Sequence, residues 1–375
     1  MSDHKDSLSE LNTTSSLSKK LESIHKTLVA RFDAIDRIAV ALYDPKTDVL
    51  NTFLHSSGGA LPLSNYEAKL SESYSLNEIV RKGTPRVVND LDIFAGGMHE
   101  HTRKIAAEGY GSSYTLPMYL NGNFFGFVFF NSYQKNTLDG EVLHFLDLVG
   151  HLVSLVVLNE LSAVRTLIST VQAARDVAHF RDMETGAHLD RMSHFSRVIA
   201  RELAPEHGFD DEFVEHVFLF APLHDIGKIG IPDRIMLKAG KLTGSEFEIM
   251  QTHPMKGRQI IDTMLKDFAL DSFQHIDMLR NIAEFHHEAM DGSGYPRGLK
   301  KEQIPIEARI ISVADIFDAL TSRRPYKVAW SNDEAFRLMQ TLAGTKLDPE
   351  CVEALLKNRN EIEAIQQQFS EDLFA

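Results

Sequence analysis

The sequence has 375 residues, a length that favours two or three domains over one. Its 43% apolar and 25% charged residues are typical of a globular protein and exclude a wholly disordered or collagen-like chain. The net charge of -14 disfavours a polymeric nucleic-acid partner, and the single cysteine, Cys351, excludes a disulfide framework and a cysteine-rich zinc site.

The N-terminal 16 residues are rich in Ser, Thr, Asp and Lys, which predicts a flexible tail without an export signal. Residues 17–32 then show helical periodicity. Apolar, β-prone runs at 38–43 and 49–55 flank turn-forming residues at 44–48, which predicts a β-hairpin.

A second hairpin is marked by Asn121-Gly122, a pair that tolerates positive φ at both centres of a type I′ turn. Its strands are predicted at 113–120 and 123–131. The almost wholly apolar run Phe124–Phe130 predicts a strand buried on both faces. With a further strand at 86–89, the first 150 residues are predicted to form an antiparallel sheet flanked by helices.

One long helix is predicted over residues 143–176. Apolar residues follow an alternating spacing of four and three, which is typical of a coiled-coil seam and favours a parallel homodimer, at Val157, Leu161, Val164, Ile168 and Val171. The alternative is a helix packed on its own domain. Polar residues interrupt its most apolar part, so we expect no membrane insertion and a cytoplasmic location. Helical patterns dominate from residue 176 onward.

Eight residues of the types that bind hard or borderline divalent metals lie between positions 184 and 315: Glu184, His188, His224, Asp225, His253, His286, His287 and Asp315. Each one alone is more often a hydrogen-bonded core residue. The local sequence favours a metal site, because His224 and Asp225 follow the apolar run 217–221. A buried carboxylate there needs a cation, and Lys228 could place an ammonium beside the same site.

The second half of the sequence resembles the HD-GYP family of cyclic dinucleotide phosphodiesterases. The resemblance runs from about Val171 to Asn358 and is carried by the strings RDMETGAH, APLHDIGKIGIPD, AGKLT, FHHEAMDGSGYPRGL, IPIEARIISVADIFDALTSRRPYK and LDP. One departure is Gly344–Pro349, where Lys346 and Leu347 replace the family's His and Phe. This difference puts local packing beneath the site in doubt.

The resemblance implies a ligand set. His188, His224, Asp225 and Asp315 match the ligands of one metal, and His253, His286 and His287 match those of a second metal, with Asp225 bridging the two. Glu184 matches a further carboxylate of members with three metals, so three ions are expected rather than two. The implied metal is iron, with manganese as the alternative.

The resemblance also implies hydrolysis of cyclic di-GMP to pGpG, with further cleavage to GMP left open. Asp225 and Lys228 are the expected catalytic residues. The expected substrate contacts are Arg324, Lys327, Tyr295 and Asp318, although Tyr295 could equally be a structural prop. A cyclic GMP-AMP phosphodiesterase and a catalytically silent cyclic di-GMP receptor are the alternatives.

The first half is similar to GAF domains in the string SSYTLPMYLNGNFFGFVFFNS and the helix that follows. This resemblance implies regulation through an unidentified small ligand, or dimerisation. The predicted fold class is multidomain α+β, with a GAF-like antiparallel sheet followed by an all-α HD-GYP domain. The predicted boundaries are a tail at 1–16, the sensor domain at 17–150, a connecting helix at 151–175, the phosphodiesterase domain at 176–365 and a tail at 366–375.

Overall fold

The computed structural model describes residues 6–58, 67–94, 105, 107–177, 186–267, 275–322 and 329–370. Its internal contacts divide the chain into two units. The sheet unit contains residues 1–162 and 210–212, and the helical unit contains residues 163–209 and 213–375. Each unit is considered by itself below.

The sheet unit is built on six antiparallel strands in the spatial order β3-β2-β1-β6-β5-β4. The strands are β1 (Arg37–Asp44), β2 (Val49–Ser57), β3 (Glu67–Lys69), β4 (Arg86–Val88), β5 (Ser112–Leu120) and β6 (Asn123–Ser132). Both hairpins predicted from the sequence are present. Asn121 and Gly122 have φ values of 50° and 82°, as a type I′ turn requires. The three-residue strand β3 was not predicted.

Strand β6 lies in the middle of the sheet, between β1 and β5. Its residues 125–132 are all buried, which confirms the prediction from its unbroken apolar run. The described residues of this half also form the helices α1 (Leu17–Val29), α2 (Tyr74–Lys82) and α3 (Gly140–Val177). The antiparallel sheet with flanking helices is therefore as predicted.

Helix α3 is 38 residues long and includes the predicted coiled-coil seam. Val157, Leu161 and Val164 are each 1% exposed or less within a single chain, so they offer no seam to a second copy. Among the side chains of α3 that the structure describes, Leu148 and Leu155 are instead the large apolar ones that are exposed. Periodicity alone could not distinguish a partner helix from packing inside the chain, and the homodimer stays a prediction.

The part of α3 between Gly140 and Thr170 is long and apolar enough to cross a bilayer by length and composition. Within its most apolar window, 39% of the residues are buried inside the chain. Core helices of globular proteins pass the same test, so this property is weak evidence for a membrane span.

The helical unit contains the end of α3 and ten further helices in the part of the chain that the structure describes. They are α4 (Gly186–His207), α5 (Asp211–Phe220), α6 (Asp233–Met236), α7 (Gly244–Met250), α8 (His253–Asp267), α9 (Ile276–Phe285), α10 (Ile306–Thr321), α11 (Asn332–Leu342), α12 (Pro349–Lys357) and α13 (Arg359–Gln368). Phe195 of α4 and Phe317 of α10 pack edge to face in its core. The all-α prediction for this half is confirmed.

Both predicted tails contain ordered residues. Ser9–Asn12 form a 3-10 turn within the expected N-terminal tail. At the other end α13 continues to Gln368, and Phe369 packs into the core of the helical unit. The predicted boundary at residue 365 thus lies within α13, and it stays a prediction.

Gly227 and Gly257 allow the turn after Asp225 to pack directly against the start of α8. A Cβ atom at Gly227 would lie 1.8 Å from the carbonyl oxygen of His253 and 2.4 Å from the amide nitrogen of Gly257. These are backbone atoms, so no side-chain rotation could relieve the clash. Gly227 therefore sets the close approach between Asp225 and His253.

Replacing Gly227 with alanine is expected to lower the free energy of unfolding by about 3 kcal/mol, because the backbone must shift to accept the methyl group. Gly244→Ala is the matched control, since a Cβ there meets nothing within 4 Å. Urea denaturation of both variants measures the difference. Equal midpoints for the two variants would show that the close approach is not required.

Candidate metal centre

Seven of the eight predicted metal ligands lie in the described residues, and the helical unit brings them together in two groups. Each residue of a group offers one ligand atom, and the ligand atoms of that group all lie within 4.8 Å of one another. The first group is His188, His224 and Asp315, and the second is Asp225, His253, His286 and His287. Glu184 lies outside the described residues.

The ligands come from separate elements of the helical unit. His188 lies on α4 and Asp315 on α10, whereas His253 begins α8. His224 and Asp225 lie between two short 3-10 turns that follow α5, and the pair at 286 and 287 follows α9. Residues 127 positions apart therefore meet at one place, which no local sequence pattern could establish.

Asp225 belongs to the second group and also faces the first, with one carboxylate oxygen toward the histidines of each. Its Oδ1 is 3.0 Å from His253 Nε2 and 3.6 Å from His286 Nε2. Its Oδ2 is 3.1 Å from His224 Nε2 and 2.7 Å from the Nζ atom of Lys228. This is the position that a carboxylate bridging two cations must occupy.

Four of the imidazoles are oriented by hydrogen bonds at Nδ1. His224, His253 and His286 lie 2.8–2.9 Å from the backbone carbonyl oxygens of Ala221, Met250 and Ile282, respectively. His188 Nδ1 lies 2.7 Å from Asp318 Oδ2. Because these oxygens only accept, each Nδ1 is the donor and each neutral ring keeps its lone pair on Nε2. Metal-ligating histidines are typically held in this way.

The charge state of the rings supports a cation at this position. Burial lowers the pKa of His286, and burial followed by the charge of His286 lowers the pKa of His287 well below its usual value. A neutral His286 ring directs its Nε2 lone pair at Asp225 Oδ1, 3.6 Å away, an arrangement that is repulsive without a positive charge between them. Imidazole and carboxylate donors without thiolate fit iron or manganese.

Asp225 itself is ionised. Burial alone would raise its pKa, but the charge of Lys228 opposes burial and the pKa lies well below the usual 3.8. A buried carboxylate in this state is available as a metal ligand at neutral pH.

Asp318, which we expected to contact substrate, is buried beneath the first group. Its carboxylate accepts hydrogen bonds from His188 Nδ1, from Arg191 Nε and Nη2, and from the Ser322 hydroxyl. The residue is 1% exposed, and the hydrogen bonds to its carboxylate come from within the helical unit. This geometry is that of a positioning residue for His188.

The ionic state of Asp318 stabilises the fold. Burial would raise its pKa, but the hydrogen bonds from His188 and Arg191 lower it from 3.8 to about 2. Its contribution to the free energy of unfolding is therefore fully present when the pH is above the ordinary pKa of 3.8. This contribution is lost as the pH falls through the folded-state pKa of about 2. Arg191 was missed by the sequence reasoning, although it lies one helical turn after His188.

Asp318→Asn is expected to weaken metal binding about 10- to 100-fold, because His188 loses the carboxylate that orients it. It should also lower the free energy of unfolding by about 3 kcal/mol, since the buried Arg191 charge then faces an amide in place of the Asp318 carboxylate. Manganese titration against a chelating dye measures the affinity, and urea denaturation measures the stability. Ser322→Ala, which removes a hydroxyl but no charge, should keep the affinity. Equal affinities for Asp318→Asn and the unaltered chain would contradict this role.

Tyr295 lies beside the second group, on the loop that follows α9. Its ring centroid is 4.8 Å from that of His287, and its amide nitrogen donates to the His287 carbonyl oxygen. Gly294 permits this turn, because a Cβ there would lie 2.3 Å from the Ala289 nitrogen. The ring position is compatible with both alternatives, substrate contact and structural prop.

The loop carrying Tyr295 is fastened by two buried carboxylates that the sequence reasoning did not assign. Glu288 accepts hydrogen bonds from the backbone amides of Arg297 and Leu299. Glu284 pairs with the guanidinium groups of Arg258 and Arg297. These contacts fix the backbone that follows the paired histidines.

The departure at Lys346 and Leu347 leaves the local packing intact. Leu347 is 1% exposed in the core of the helical unit. The Lys346 ammonium contacts Asp291 Oδ2 and the Ser293 hydroxyl, so it joins the Tyr295 loop to the segment before α12. Arg324 and Lys327, the predicted substrate contacts, lie outside the described residues.

Comparison with known proteins agrees with this geometry. Residues 177–351 match the model of the HD domain family. The cyclic di-GMP phosphodiesterase response regulator RpfG of Xanthomonas campestris is 46% identical over 191 residues, which cover 51% of this chain and 48% of that protein. The 3'3'-cGAMP-specific phosphodiesterase 2 of Vibrio cholerae is 36% identical over 185 residues, which cover 49% of this chain and 33% of that protein. The chain thus spans half or less of the length of these curated relatives.

Among solved structures, the GAF domain of a phosphoenolpyruvate-protein phosphotransferase from Acinetobacter is similar to this chain. The TM-score is 0.34 at 14% sequence identity, and the match covers 42% of this chain and 90% of that structure.

Proposed function

Residues 177–351 form an HD domain, and from this premise we propose that the chain is a metal-dependent phosphodiesterase that hydrolyses cyclic di-GMP to pGpG. Further hydrolysis to GMP is an open second step. The observation that carries the proposal is Asp225, whose two oxygens face separate groups of imidazoles. The cyclic di-GMP phosphodiesterase of Xanthomonas supports the choice of substrate.

The proposed metal ligands are His188, His224, Asp225 and Asp315 on one side, and Asp225, His253, His286 and His287 on the other. Iron is the proposed metal and manganese the alternative, with Glu184 as the further ligand if a third ion binds. Divalent ions held here would supply a deprotonated water at neutral pH and positive charge for the phosphate oxygens. The chain's own task is to hold these ligands in the correct tautomer and orientation.

Lys228 is proposed as a catalytic residue in addition to Asp225. Its ammonium lies 2.7 Å from Asp225 Oδ2 and its side chain is 20% exposed, so it can reach both the carboxylate and a bound substrate. In this position it can stabilise charge on the phosphate or protonate the leaving oxygen. Arg324, Lys327 and Tyr295 are proposed substrate contacts, whereas Asp318 is now proposed to position His188.

A cyclic GMP-AMP phosphodiesterase is the second candidate, and the similarity to the Vibrio enzyme favours keeping it. Metals and Lys228 would contact phosphate in either substrate, so base contacts must decide between them. A silent cyclic di-GMP receptor is less well supported, because binding alone does not require two groups of oriented imidazoles around a shared carboxylate.

Anaerobic purification followed by metal analysis and product chromatography tests the proposal. The purified chain should contain two or three iron or manganese ions and convert cyclic di-GMP to pGpG faster than it cleaves cyclic GMP-AMP. Faster cleavage of cyclic GMP-AMP would favour the second candidate. Bound metal with neither product would favour the receptor.

We further propose that the sheet unit regulates the phosphodiesterase, that the chain acts as a homodimer, and that it is cytoplasmic. The exposed Leu148 and Leu155 of α3 support an interface with a second copy, because exposed apolar side chains on one helix favour association. Sedimentation tests the dimer, and Leu148→Glu together with Leu155→Glu should give a monomer. A monomeric unaltered chain would contradict this part of the proposal.

A further inference from the structure

The residue that follows α13 packs against α4, close to the metal ligand His188. This residue is Phe369, which lies beyond residues 177–351, the part of the chain that matches the HD domain family. It is 9% exposed and belongs to the core of the helical unit. The proposed mechanism gives Phe369 no task, yet its contacts lead to the first group of metal ligands.

Three residues of α4 that are spaced three apart line the face on which Phe369 rests. They are His188, Arg191 and His194, and residues at this spacing are neighbours on a helix surface. The Phe369 ring stacks on the His194 ring, with centroids 4.7 Å apart and an angle of 30° between the planes. The Phe369 carbonyl oxygen accepts a hydrogen bond of 2.8 Å from Arg191 Nη1. Phe369 is thus attached to α4 at two points, by its ring and by its backbone.

Arg191 joins Phe369 to the carboxylate that orients His188. Its Nε and Nη2 atoms donate to Asp318, and its Nη1 atom donates to Phe369. Because the guanidinium is planar and rigid, the acceptor at Nη1 also fixes the direction of the other two nitrogens. Asp318 Oδ2 accepts in turn from His188 Nδ1. A continuous line of hydrogen bonds therefore runs from the Phe369 backbone to a proposed metal ligand.

We propose that Phe369 is a positioning residue of the metal centre, which holds the Arg191 guanidinium against Asp318 and thereby fixes His188 toward its ion. This inference rests on the proposed metal-dependent function. Arg191 is 5% exposed, so losing the acceptor at Nη1 is costly and favours a turn of the guanidinium away from Asp318. The second group contains none of these residues, so its ion should not depend on Phe369.

Manganese titration of full-length Phe369→Gly against a chelating dye tests this role. Glycine removes the ring and frees the backbone, so one manganese ion should bind about tenfold more weakly while the other keeps its affinity. Phe369→Leu keeps an apolar anchor and should restore most of the lost affinity. Unchanged affinities in Phe369→Gly would overturn the proposal. If circular dichroism shows that Phe369→Gly is unfolded, the milder Phe369→Ala takes its place, with the same expected loss.

Met339→Ala is the control for a general loss of packing. Met339 is fully buried in the same core, on α11, outside the line of hydrogen bonds. Its replacement should lower the urea midpoint at least as much as Phe369→Gly does, and it should leave both manganese affinities unchanged. A loss of affinity equal to that of Phe369→Gly would overturn the proposal, because weaker packing alone would then explain both results.

A double-mutant cycle tests whether Phe369 acts through Arg191. Arg191→Gln alone should weaken binding of the same manganese ion, and adding Phe369→Gly should then cause little further loss, because the line of hydrogen bonds is already broken. Losses that simply add in the double variant would overturn the proposal. If Arg191→Gln does not fold, the comparison of Phe369→Gly with Phe369→Leu and Met339→Ala decides.

Metal binding also separates this inference from the proposed function. Two manganese ions bound with no dependence on Phe369 would overturn this inference alone. Binding that depends on Phe369, in a chain that cleaves no cyclic dinucleotide, would support this inference and overturn the proposed activity. An unaltered chain that binds neither manganese nor ferrous iron would overturn both.

Discussion

Asp225→Asn is expected to remove most bound metal and to lower turnover of cyclic di-GMP about a thousandfold or more, because several kcal/mol of transition-state stabilisation depend on the ions. The carboxylate has two oxygens, one for each group of imidazoles, and a negative charge. The asparagine amide has a single oxygen and is neutral. The loss should therefore affect both groups, although the substitution changes a single residue. Metal analysis and steady-state kinetics on the same preparation measure the two effects together.

The matched control is Asp277→Asn, which removes a carboxyl group that is 89% exposed at the start of α9. This variant should keep both metal content and turnover. If Asp225→Asn retains full metal and turnover within about tenfold of the unaltered chain, the bridging role of Asp225 is wrong.

Lys228→Met is expected to lower turnover about a hundredfold while metal content stays unchanged. The ammonium contacts Asp225 Oδ2 but belongs to neither ligand group, so its loss removes charge near the substrate and leaves the imidazoles in place. Since Lys228 also lowers the pKa of Asp225, its removal raises that pKa, yet cations bound at the two groups would keep the carboxylate ionised.

Lys228→Arg should restore part of the turnover if charge is what matters, and none if proton donation by the lysine is required. Lys241→Met, an exposed lysine in the same unit, should have no effect. Turnover of Lys228→Met equal to that of the unaltered chain would refute the catalytic role. Loss of metal from the variant would instead show that Lys228 is needed for the site to form.

Local features of the fold could be predicted from sequence because their signals are local. The Asn121-Gly122 turn and the buried strand after it follow from residue chemistry over fewer than a dozen positions. The edge strand β3 has three residues and no alternating pattern, so nothing in the sequence marked it. The seam in α3 was identified correctly as apolar, but the sequence could not show that Val157 and Leu161 are already buried.

In the candidate site, too, local features could be predicted from the sequence and long-range contacts could not. Residue types and the family resemblance were enough to select the imidazoles and Asp225. Among the residues that orient them, Arg191 was missed and Asp318 was expected to contact substrate, because Arg191 and Asp318 are distant in sequence. Asp318 pairs with a histidine 130 positions away, and Glu284 pairs with Arg258 across 26 positions. Such pairings leave no periodic signal and become visible only after the helices are packed.

Anomalous diffraction at the iron edge, from crystals of anaerobically purified protein, tests the central claim most directly. The account predicts separate peaks on the two sides of Asp225, one among His253, His286 and His287 and the other among His188, His224 and Asp315. Anomalous maps without a peak beside either oxygen of Asp225, from protein that hydrolyses cyclic di-GMP, would contradict it.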